Sequence, residues 1–207
     1  MGRAVMVVFD REIGDMSKKF YVFRHGETEL NRQKRWQGAG MDYELNPDGC
    51  RQAGELAQKL AGKNLEIIFS SPLKRALQTA EAVAAVMDIP VIVNKNLREC
   101  FYGEAEGQLI ADLKKNVPDI VNNWTHPDFW DIRFAGGESK KESLERVLRV
   151  FDGLCQEKYA VMGVAIHGGT MAALLNHFGY VFTQIANCAV FCLLYENGYW
   201  RVDGELF

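Results

Sequence analysis

The stretch Phe20-Tyr-Val-Phe-Arg-His-Gly-Glu-Thr-Glu-Leu-Asn31 decides the fold, because an apolar segment ends there abruptly in polar residues. Its first four residues, 20–23, are apolar and predict a short buried strand. Arg24-His25-Gly26 follows this strand directly. In an open α/β sheet, ligands bind beyond the carboxyl ends of the strands. The sequence therefore predicts a ligand site immediately after the strand.

The three residues at this strand end suit the binding of an anion. Arg24 has a planar guanidinium that matches phosphate or carboxylate, and His25 can act as a base, acid, metal ligand or nucleophile. Gly26 allows close approach of the backbone. Taken alone, the tripeptide favours a strand-end turn with a solvated arginine, so the interpretation as a ligand site depends on three further segments.

A second histidine-glycine pair, His167-Gly168, follows the apolar segment 161–166, which predicts another buried strand. Parallel strands present their carboxyl ends at one edge of the sheet. His25 and His167 are therefore expected to meet at that edge, whereas a single strand-end histidine would more often be structural.

Strands and helices alternate along most of the chain, which predicts an α/β fold with three αβα layers and a mainly parallel sheet. Further strands are predicted at residues 65–69 and 91–93, and an antiparallel edge hairpin at residues 188–202 turns at Glu196-Asn197-Gly198. One helix is predicted to end near Gly62, and the next to begin at Ser70-Ser71-Pro72. A long helix is predicted after residue 136, with Leu144, Val147 and Phe151 on one face, and a last one at residues 170–178.

The alternation stops between about residues 100 and 136, which we interpret as a small helical cap inserted over the site. Its aromatic residues suit packing on a flat part of a substrate or a plain contact with the core, and both interpretations stay open; they are Trp124, Phe129, Trp130 and Phe134. Residues 16–207 are expected to form a single domain. Residues 1–15 are interpreted as a dispensable leader, or as a segment that precedes a translation start at Met16.

The composition excludes several classes of function. The net charge of −3 gives no basic field for nucleic acid or an anionic membrane, and no apolar run reaches the length of a membrane span. The five cysteines lack CxxC spacing, which favours reduced thiols and a cytoplasmic location. The four histidines show no metal-ligand spacing. Arg24, Arg32, Lys34 and Arg35 nevertheless predict a locally positive pocket.

Arg24-His25-Gly26-Glu27-Thr28, with Asn31, resembles the signature of the histidine phosphatase superfamily, which includes the cofactor-dependent phosphoglycerate mutases. The similarity runs from about Lys19 to the C-terminus. The resemblance implies that His25 is a nucleophile that becomes phosphorylated and that His167 binds the phosphoryl group. It also implies that Arg24 and Asn31 contact the phosphoryl oxygens and that neither metal nor cofactor is needed.

Two further segments extend the resemblance. Ser70–Ala80 is similar to the second motif of the family and implies that Arg75 binds phosphate, although the segment alone would indicate a solvent-facing arginine. Leu97–Gly103 is similar to the segment that carries the acid/base, which implies that role for Glu99 and a substrate contact for Tyr102. A surface ion pair with Arg98 is the other interpretation of Glu99.

Departures from the mutase pattern favour a phosphatase of small phosphorylated metabolites. Ile110 stands where mutases have a lysine, Arg133 stands alone in the insertion, and Gly-Gly follows His167. A cofactor-dependent phosphoglycerate mutase is the alternative, and a non-catalytic phosphoryl-binding module is a remote one. Glu138-Ser139 suits either a supporting role at the site or a helix N-terminus. A homodimer formed through the hairpin edge near residues 191–195 stays open.

Overall fold

The structure, a computed structural model, describes residues 17–182 and 184–203. Its strands are β1 (Lys18–Arg24), β2 (Ile67–Ser70), β3 (Val91–Val93), β4 (Val161–Ile166), β5 (Val190–Glu196) and β6 (Tyr199–Asp203). They form one six-stranded sheet in the order β3-β2-β4-β1-β5-β6. The expected leader, residues 1–15, lies outside the described residues.

The strands β1 to β4 run parallel, and β5 and β6 add an antiparallel edge. The helices are α1 (Glu29–Arg32), α2 (Pro47–Leu60), α3 (Lys74–Met87), α4 (Ile110–Asn116), α5 (Pro118–Asn123), α6 (Lys140–Leu154) and α7 (Gly168–His177). This confirms the predicted α/β fold with a mainly parallel sheet and an antiparallel C-terminal hairpin.

The alternation of side chains in β1 explains the three layers. Phe20 and Val22 point into a buried cluster with residues of α6 and α7, whereas Tyr21 and Phe23 point into a cluster with residues of α2 and α3. Burying a large apolar side chain contributes about 1.5–3 kcal/mol. A strand that is apolar on both faces therefore favours a central position between two helical layers.

The sheet places the two strand-end histidines at the same level. β1 pairs with β4 so that Arg24 lies opposite Ile166. Each strand ends at this pair, and the next residue of the chain is His25 or His167. The register alone therefore brings the two histidines side by side.

The predicted start of α3 was wrong. Lys74 is the first helical residue, and the residue that precedes it, Leu73, makes no side-chain cap. The Ser71 hydroxyl instead accepts the Leu73 N–H at 3.2 Å, which forms a tight turn before the helix. Ser70 belongs to β2, so the strand extends one residue beyond the prediction.

The hairpin turns at Asn197 and Gly198, both with positive φ, as the sequence predicted. However, β5 is hydrogen bonded to β1 on one side and to β6 on the other. Residues 191–195 are therefore not an exposed sheet edge, and the predicted route to a homodimer through them was wrong. The described part of the chain contains no helix long and apolar enough to cross a membrane.

Residues 100–136 contain α4 and α5 and have a small apolar cluster separate from the two main ones. Trp124 and Phe134 stack in this cluster with ring centroids 5.8 Å apart, and both are buried. Trp130 packs against the main core, and the Lys140 ammonium lies 4.5 Å from its ring. Phe129 is exposed. Packing within the small cluster therefore accounts for Phe134 and contact with the main core for Trp130, while Trp124 also lines the cleft described below.

Candidate active site

The imidazole rings of His25 and His167 lie side by side, with centroids 5.2 Å apart. Both residues are buried. The backbone that follows His25 packs closely on α2, since a Cβ on Gly26 would lie only 2.5 Å from the Gly49 carbonyl oxygen. The structure thus brings together the two histidines that the strand pattern predicted.

A hydrogen bond to the backbone sets the tautomer of His25. Its Nδ1 lies 2.7 Å from the Gly26 carbonyl oxygen, which can only accept, so Nδ1 carries the proton. Burial, and then the charges of Arg75 and Arg24, lower the pKa of His25 well below its ordinary value of 6.5. The ring is therefore neutral at physiological pH, and its Nε2 keeps a free lone pair.

Ser71 contacts the other strand-end histidine. The Ser71 hydroxyl accepts the Leu73 N–H and can donate its own hydrogen to His167 Nε2, which lies 2.7 Å away. With Ser71 as the donor, His167 Nδ1 carries the ring proton. Burial, followed by the charge of Arg75, lowers the pKa of His167 well below 6.5. His167 can therefore donate a hydrogen bond from Nδ1 without carrying a charge.

Two arginines flank the histidines. Arg75, in the first turn of α3, is buried and donates to the carbonyl oxygens of Met41 at 2.9 Å and Gly38 at 3.2 Å. Burial lowers the pKa of Arg75 to about 10, so it stays charged at neutral pH. Arg24 donates to the Ile185 carbonyl oxygen. These backbone acceptors hold both guanidinium groups without neutralising them.

Three buried donors around the histidines have no hydrogen-bond partner among residues 17–182 and 184–203. They are Arg24 Nε, Arg75 Nε and His167 Nδ1. A buried polar group without a partner is costly, and native structures rarely leave one unsatisfied. Donors that converge from three separate elements are typical of an anion site.

Asn31 lies at the same site and lines the cleft. Its side-chain Oδ1 accepts from the Thr28 N–H at 3.2 Å and from Asn187 Nδ2 at 3.3 Å. Its own Nδ2 is then free to donate. Asn187 also donates to the His25 carbonyl oxygen at 3.1 Å, and the sequence had not indicated this residue.

The Glu99 carboxylate is buried at the N-terminus of α7. Its Oε2 accepts from the Gly169 N–H at 2.9 Å, and its Oε1 accepts from both the N–H and the hydroxyl of Thr170. Glu99 also lines the cleft. The alternative of a surface ion pair with Arg98 was wrong, because Arg98 contacts Glu138 instead.

Tyr102 is buried beside Glu99 and lines the same cleft. Its hydroxyl lies so near the α7 backbone that a Cβ on Gly169 would be 1.8 Å from it. Burial, followed by the charge of Glu99, raises the pKa of Tyr102 well above 10, so the hydroxyl keeps its proton. Gly169 is therefore required for Tyr102 and Glu99 to approach each other.

We expect Gly169→Ala to lower kcat/KM by about tenfold or more. The added Cβ would displace Tyr102 and Glu99, and even a small displacement of a group at a reacting site lowers the rate strongly. Tyr102→Phe in the same chain removes the clashing oxygen and should recover part of the loss. Steady-state kinetics of the two single variants and the double variant measure this coupling. Equal losses in Gly169→Ala with and without Tyr102→Phe would contradict the contact.

An ion pair braces the segment that carries Glu99. Arg146 of α6 donates to both carboxylate oxygens of Glu138, at 3.0 and 2.8 Å, and to the carbonyl oxygens of Asn96 and Arg98, at 2.6 and 2.9 Å. Ser139 is the N-cap of α6, which agrees with the interpretation of Glu138-Ser139 as a helix N-terminus. The sequence pattern did not single out Arg146, because an arginine in an amphipathic helix normally faces solvent.

We expect Arg146→Met to lower the free energy of unfolding by about 3 kcal/mol at pH 7, because it leaves Glu138 half-buried and without its main partner. Arg149→Met, an exposed arginine on the same helix, is the matched control and should change it by less than about 0.5 kcal/mol. Urea denaturation measures both.

The pH dependence of this difference follows from Glu138. Burial raises the pKa of Glu138, but the hydrogen bonds and charge of Arg146 and the charge of Arg98 outweigh burial and hold it below 4.5. A lowered folded pKa contributes stability above pH 4.5 that is lost as the pH falls through the folded value. The deficit of Arg146→Met should therefore shrink in acid, and a deficit constant down to pH 3 would contradict the assignment.

Part of this arrangement lines a cleft of about 950 Å³, namely Arg24, His25, Asn31, Glu99, Tyr102, Gly169 and Asn187. Arg75 and His167 are fully buried and are not among the lining residues. Lys74 lies outside the cleft and pairs with Glu44 at 3.1 Å in solvent, as expected for a solvated residue. Cys100 is buried, and burial raises the pKa of its thiol far above 9.0. His177 is half-buried at the end of α7, away from the cleft lining. The site therefore contains two of the four histidines.

Comparison with known proteins finds relatives in both sequence and structure. A sequence profile described as histidine phosphatase superfamily (branch 1) matches residues 20–205. The chain is similar to a putative phosphoserine phosphatase 2 of Hydrogenobacter thermophilus, with 31% identity over 163 residues that cover 76% of this chain and 77% of the relative.

Two solved structures are similar to the whole described fold. A mycobacterial glucosyl-3-phosphoglycerate phosphatase in complex with VO3 superposes with a TM-score of 0.81 at 26% identity, over 90% of this chain and 97% of that one. A phosphoglycerate mutase from Bacillus anthracis superposes with a TM-score of 0.82 at 22% identity, over 94% and 95% of the two chains. At 22% identity, the similarity to the mutase shows a common fold and nothing about activity.

Proposed function

This chain belongs to the histidine phosphatase superfamily (branch 1), and we propose from that premise that it hydrolyses small phosphomonoesters through a phosphohistidine on His25. It is a phosphatase of this family, as its phosphatase relatives indicate. The observation that carries the proposed mechanism is the convergence of three unpartnered buried donors on a neutral imidazole.

In the first step, His25 Nε2 attacks the phosphorus atom and the bond from phosphorus to the ester oxygen breaks. Arg24, Arg75 and His167 donate to the non-bridging oxygens, and the two guanidinium groups neutralise their charge, so the step needs no metal ion. Asn31 adds one donor from its side-chain amide. Protonated Glu99 gives its proton to the departing alkoxide, which leaves as an alcohol.

In the second step, water attacks the phosphohistidine. The Glu99 carboxylate takes a proton from this water, the bond between nitrogen and phosphorus breaks, and phosphate leaves. Glu99 is then protonated and His25 neutral, as at the start. One carboxyl group therefore serves both steps, and its hydrogen bonds to the α7 N-terminus fix its orientation.

The proposed substrates are small phosphorylated metabolites. The names of two similar proteins specify phosphoserine and glucosyl-3-phosphoglycerate, both phosphomonoesters of small molecules. The cleft of about 950 Å³ is large enough to hold such a leaving group beside the phosphoryl site.

The experiment that tests the proposal is phosphate release in the presence of excess chelator. Wild-type protein is assayed with phosphoserine, 3-phosphoglycerate, sugar phosphates and nucleotides. Release that persists with chelator supports a metal-independent phosphatase. Conversion of 3-phosphoglycerate to its 2-isomer without net release would indicate a mutase, and no reaction at all would indicate a phosphoryl-binding module; either result would contradict the proposal.

A further inference from the structure

The cleft extends well beyond the phosphoryl site, and its lining is positively charged. Glu99 is the one acidic residue among the described residues that line it. Four basic residues line it as well: Arg24, Lys34, Arg35 and Lys114. The chain as a whole has a net charge of −3, so this excess of positive charge is local.

Arg24 belongs to the phosphoryl site, and Arg35 is held by the protein. The Arg35 guanidinium donates to the Gly107 carbonyl oxygen at 2.6 Å and to Gln33 Oε1 at 3.1 Å. Within residues 17–182 and 184–203, Lys34 and Lys114 take part in no ion pair. These two ammonium groups are therefore available to a ligand.

The backbone ties Lys34 to both the phosphoryl site and α4. Its N–H donates to the Asn31 carbonyl oxygen at 3.0 Å, and its own carbonyl accepts the Ile110 N–H at 3.0 Å. Lys34 adopts a left-handed conformation with φ of 54°, which is uncommon for a lysine. Lys114 lies one helical turn after Ile110, and both line the cleft. The two lysines therefore sit on adjoining elements around one opening.

A further unpartnered donor belongs to a residue that lines the same cleft. Trp124 lines the cleft and is 3% exposed. Its indole Nε1 is buried and has no hydrogen-bond acceptor in the described part of the chain. The other three atoms in this condition surround the phosphoryl site, so the fourth points to a second polar group of the ligand rather than to a fault of packing.

We propose that Lys34, Lys114 and Trp124 form a second anion subsite, which selects phosphomonoesters whose leaving group carries another anionic group. This inference rests on the proposed function and specifies its substrate class. A carboxylate and a second phosphate share the required chemistry, namely acceptor oxygens with a negative charge. Lysine ammonium groups interact with either as point charges.

Matched substrate pairs test the subsite. Phosphoserine and phosphoethanolamine differ only in the carboxylate, and fructose 1,6-bisphosphate and fructose 6-phosphate differ only in the second phosphate. The readout is the ratio of kcat/KM within each pair, for wild type, Lys34→Met, Lys114→Met and the double variant. Lys115→Met is the matched control, since Lys115 is exposed on α4 and does not line the cleft.

We expect the wild type to favour the more anionic member of at least one pair by about tenfold, and each single variant to reduce that ratio by about 3- to 5-fold. The double variant should bring the ratio close to one, and Lys115→Met should leave it unchanged. The pair that shows the preference identifies the anion as carboxylate or phosphate. High salt should weaken the preference, because exposed charges are screened.

Equal kcat/KM within both pairs, or a wild-type ratio that survives in the double variant, would overturn the subsite while leaving the phosphatase intact. Absence of phosphate release from all four compounds and from p-nitrophenyl phosphate would instead overturn the proposed function, and the subsite with it. Circular dichroism of the double variant shows whether a lost ratio reflects a lost fold. In that case Lys34→Glu, which should invert the preference toward phosphoethanolamine, decides the question.

Discussion

Replacement of His25 by alanine is expected to lower kcat/KM for phosphate release by about 10³-fold or more, because the covalent route loses its nucleophile. His25 Nε2 keeps the free lone pair of the neutral ring, and a water molecule in the vacated space is a poorer nucleophile. Steady-state release of phosphate from p-nitrophenyl phosphate measures the loss. The alanine variant should still bind inorganic phosphate, since Arg24, Arg75 and His167 remain.

The matched control for this variant is His177→Gln. His177 lies at the end of α7, outside the cleft lining, and replacement of its half-buried ring tests the general effect of losing a histidine. It should keep activity within about twofold of wild type, as expected for a site away from the chemistry. An alanine variant at His25 that retained a tenth of the wild-type rate would show that the imidazole is not the nucleophile.

Arg75→Met is expected to lower kcat/KM by about 10²–10³-fold, because a preorganised donor to the transition-state oxygens is lost. Methionine keeps much of the side-chain volume, so the change chiefly removes charge and hydrogen bonds. The pKa of Arg75, lowered to about 10 by burial, leaves the wild-type guanidinium charged throughout the neutral range. Kinetics with p-nitrophenyl phosphate and competitive inhibition by inorganic phosphate measure the effect on the rate and on binding.

Lys74→Met is the matched control, because Lys74 precedes Arg75 and its ammonium pairs with Glu44 in solvent. It should leave both constants within about twofold. Arg75 also holds the loop at Gly38 and Met41, so thermal unfolding must be measured alongside. Undiminished inhibition of a folded Arg75→Met variant by phosphate would contradict the role of Arg75 in binding the phosphoryl group.

The residues of the site that could be predicted from the sequence pattern are those that follow the ends of strands. Apolar segments before His25 and His167 predicted parallel strands, and the observed register places the two rings 5.2 Å apart. Arg75 and Glu99 could not be predicted as site residues from the local sequence, because each occurs in a context that usually indicates a solvent-exposed residue. The resemblance to a known family singled them out, and the structure places both in buried positions.

Residues that support the site through contacts distant in the chain could not be predicted from the sequence. Asn187 contacts the backbone of His25, which is 162 residues earlier, and Arg146 contacts carbonyl groups about 50 residues earlier. Nothing in the local sequence distinguishes such an asparagine or arginine from one in solvent. Ser71 is a further case, since the segment that contains it was predicted to begin a helix, whereas its hydroxyl contacts His167.

The locally positive pocket was predicted from charge composition, and the structure distinguishes the residues that contribute to it. Lys34 and Arg35 line the cleft. Arg32, however, pairs with Glu29 at 2.5 Å in solvent and is absent from the lining. The sequence had not associated Lys114 with the pocket, because the connection depends on the backbone hydrogen bond between Lys34 and Ile110.

The measurement that tests the central claim most directly is detection of the covalent intermediate. Protein is mixed with substrate in excess chelator, quenched in alkali within milliseconds, digested and examined by mass spectrometry for phosphohistidine. The account predicts phosphorylation at His25 in wild type, accumulation of the same species in Glu99→Gln because water attack is slowed, and none in His25→Ala. Rapid turnover by wild type without phosphorylation at His25 at any quench time, or phosphorylation at His167 instead, would contradict the account.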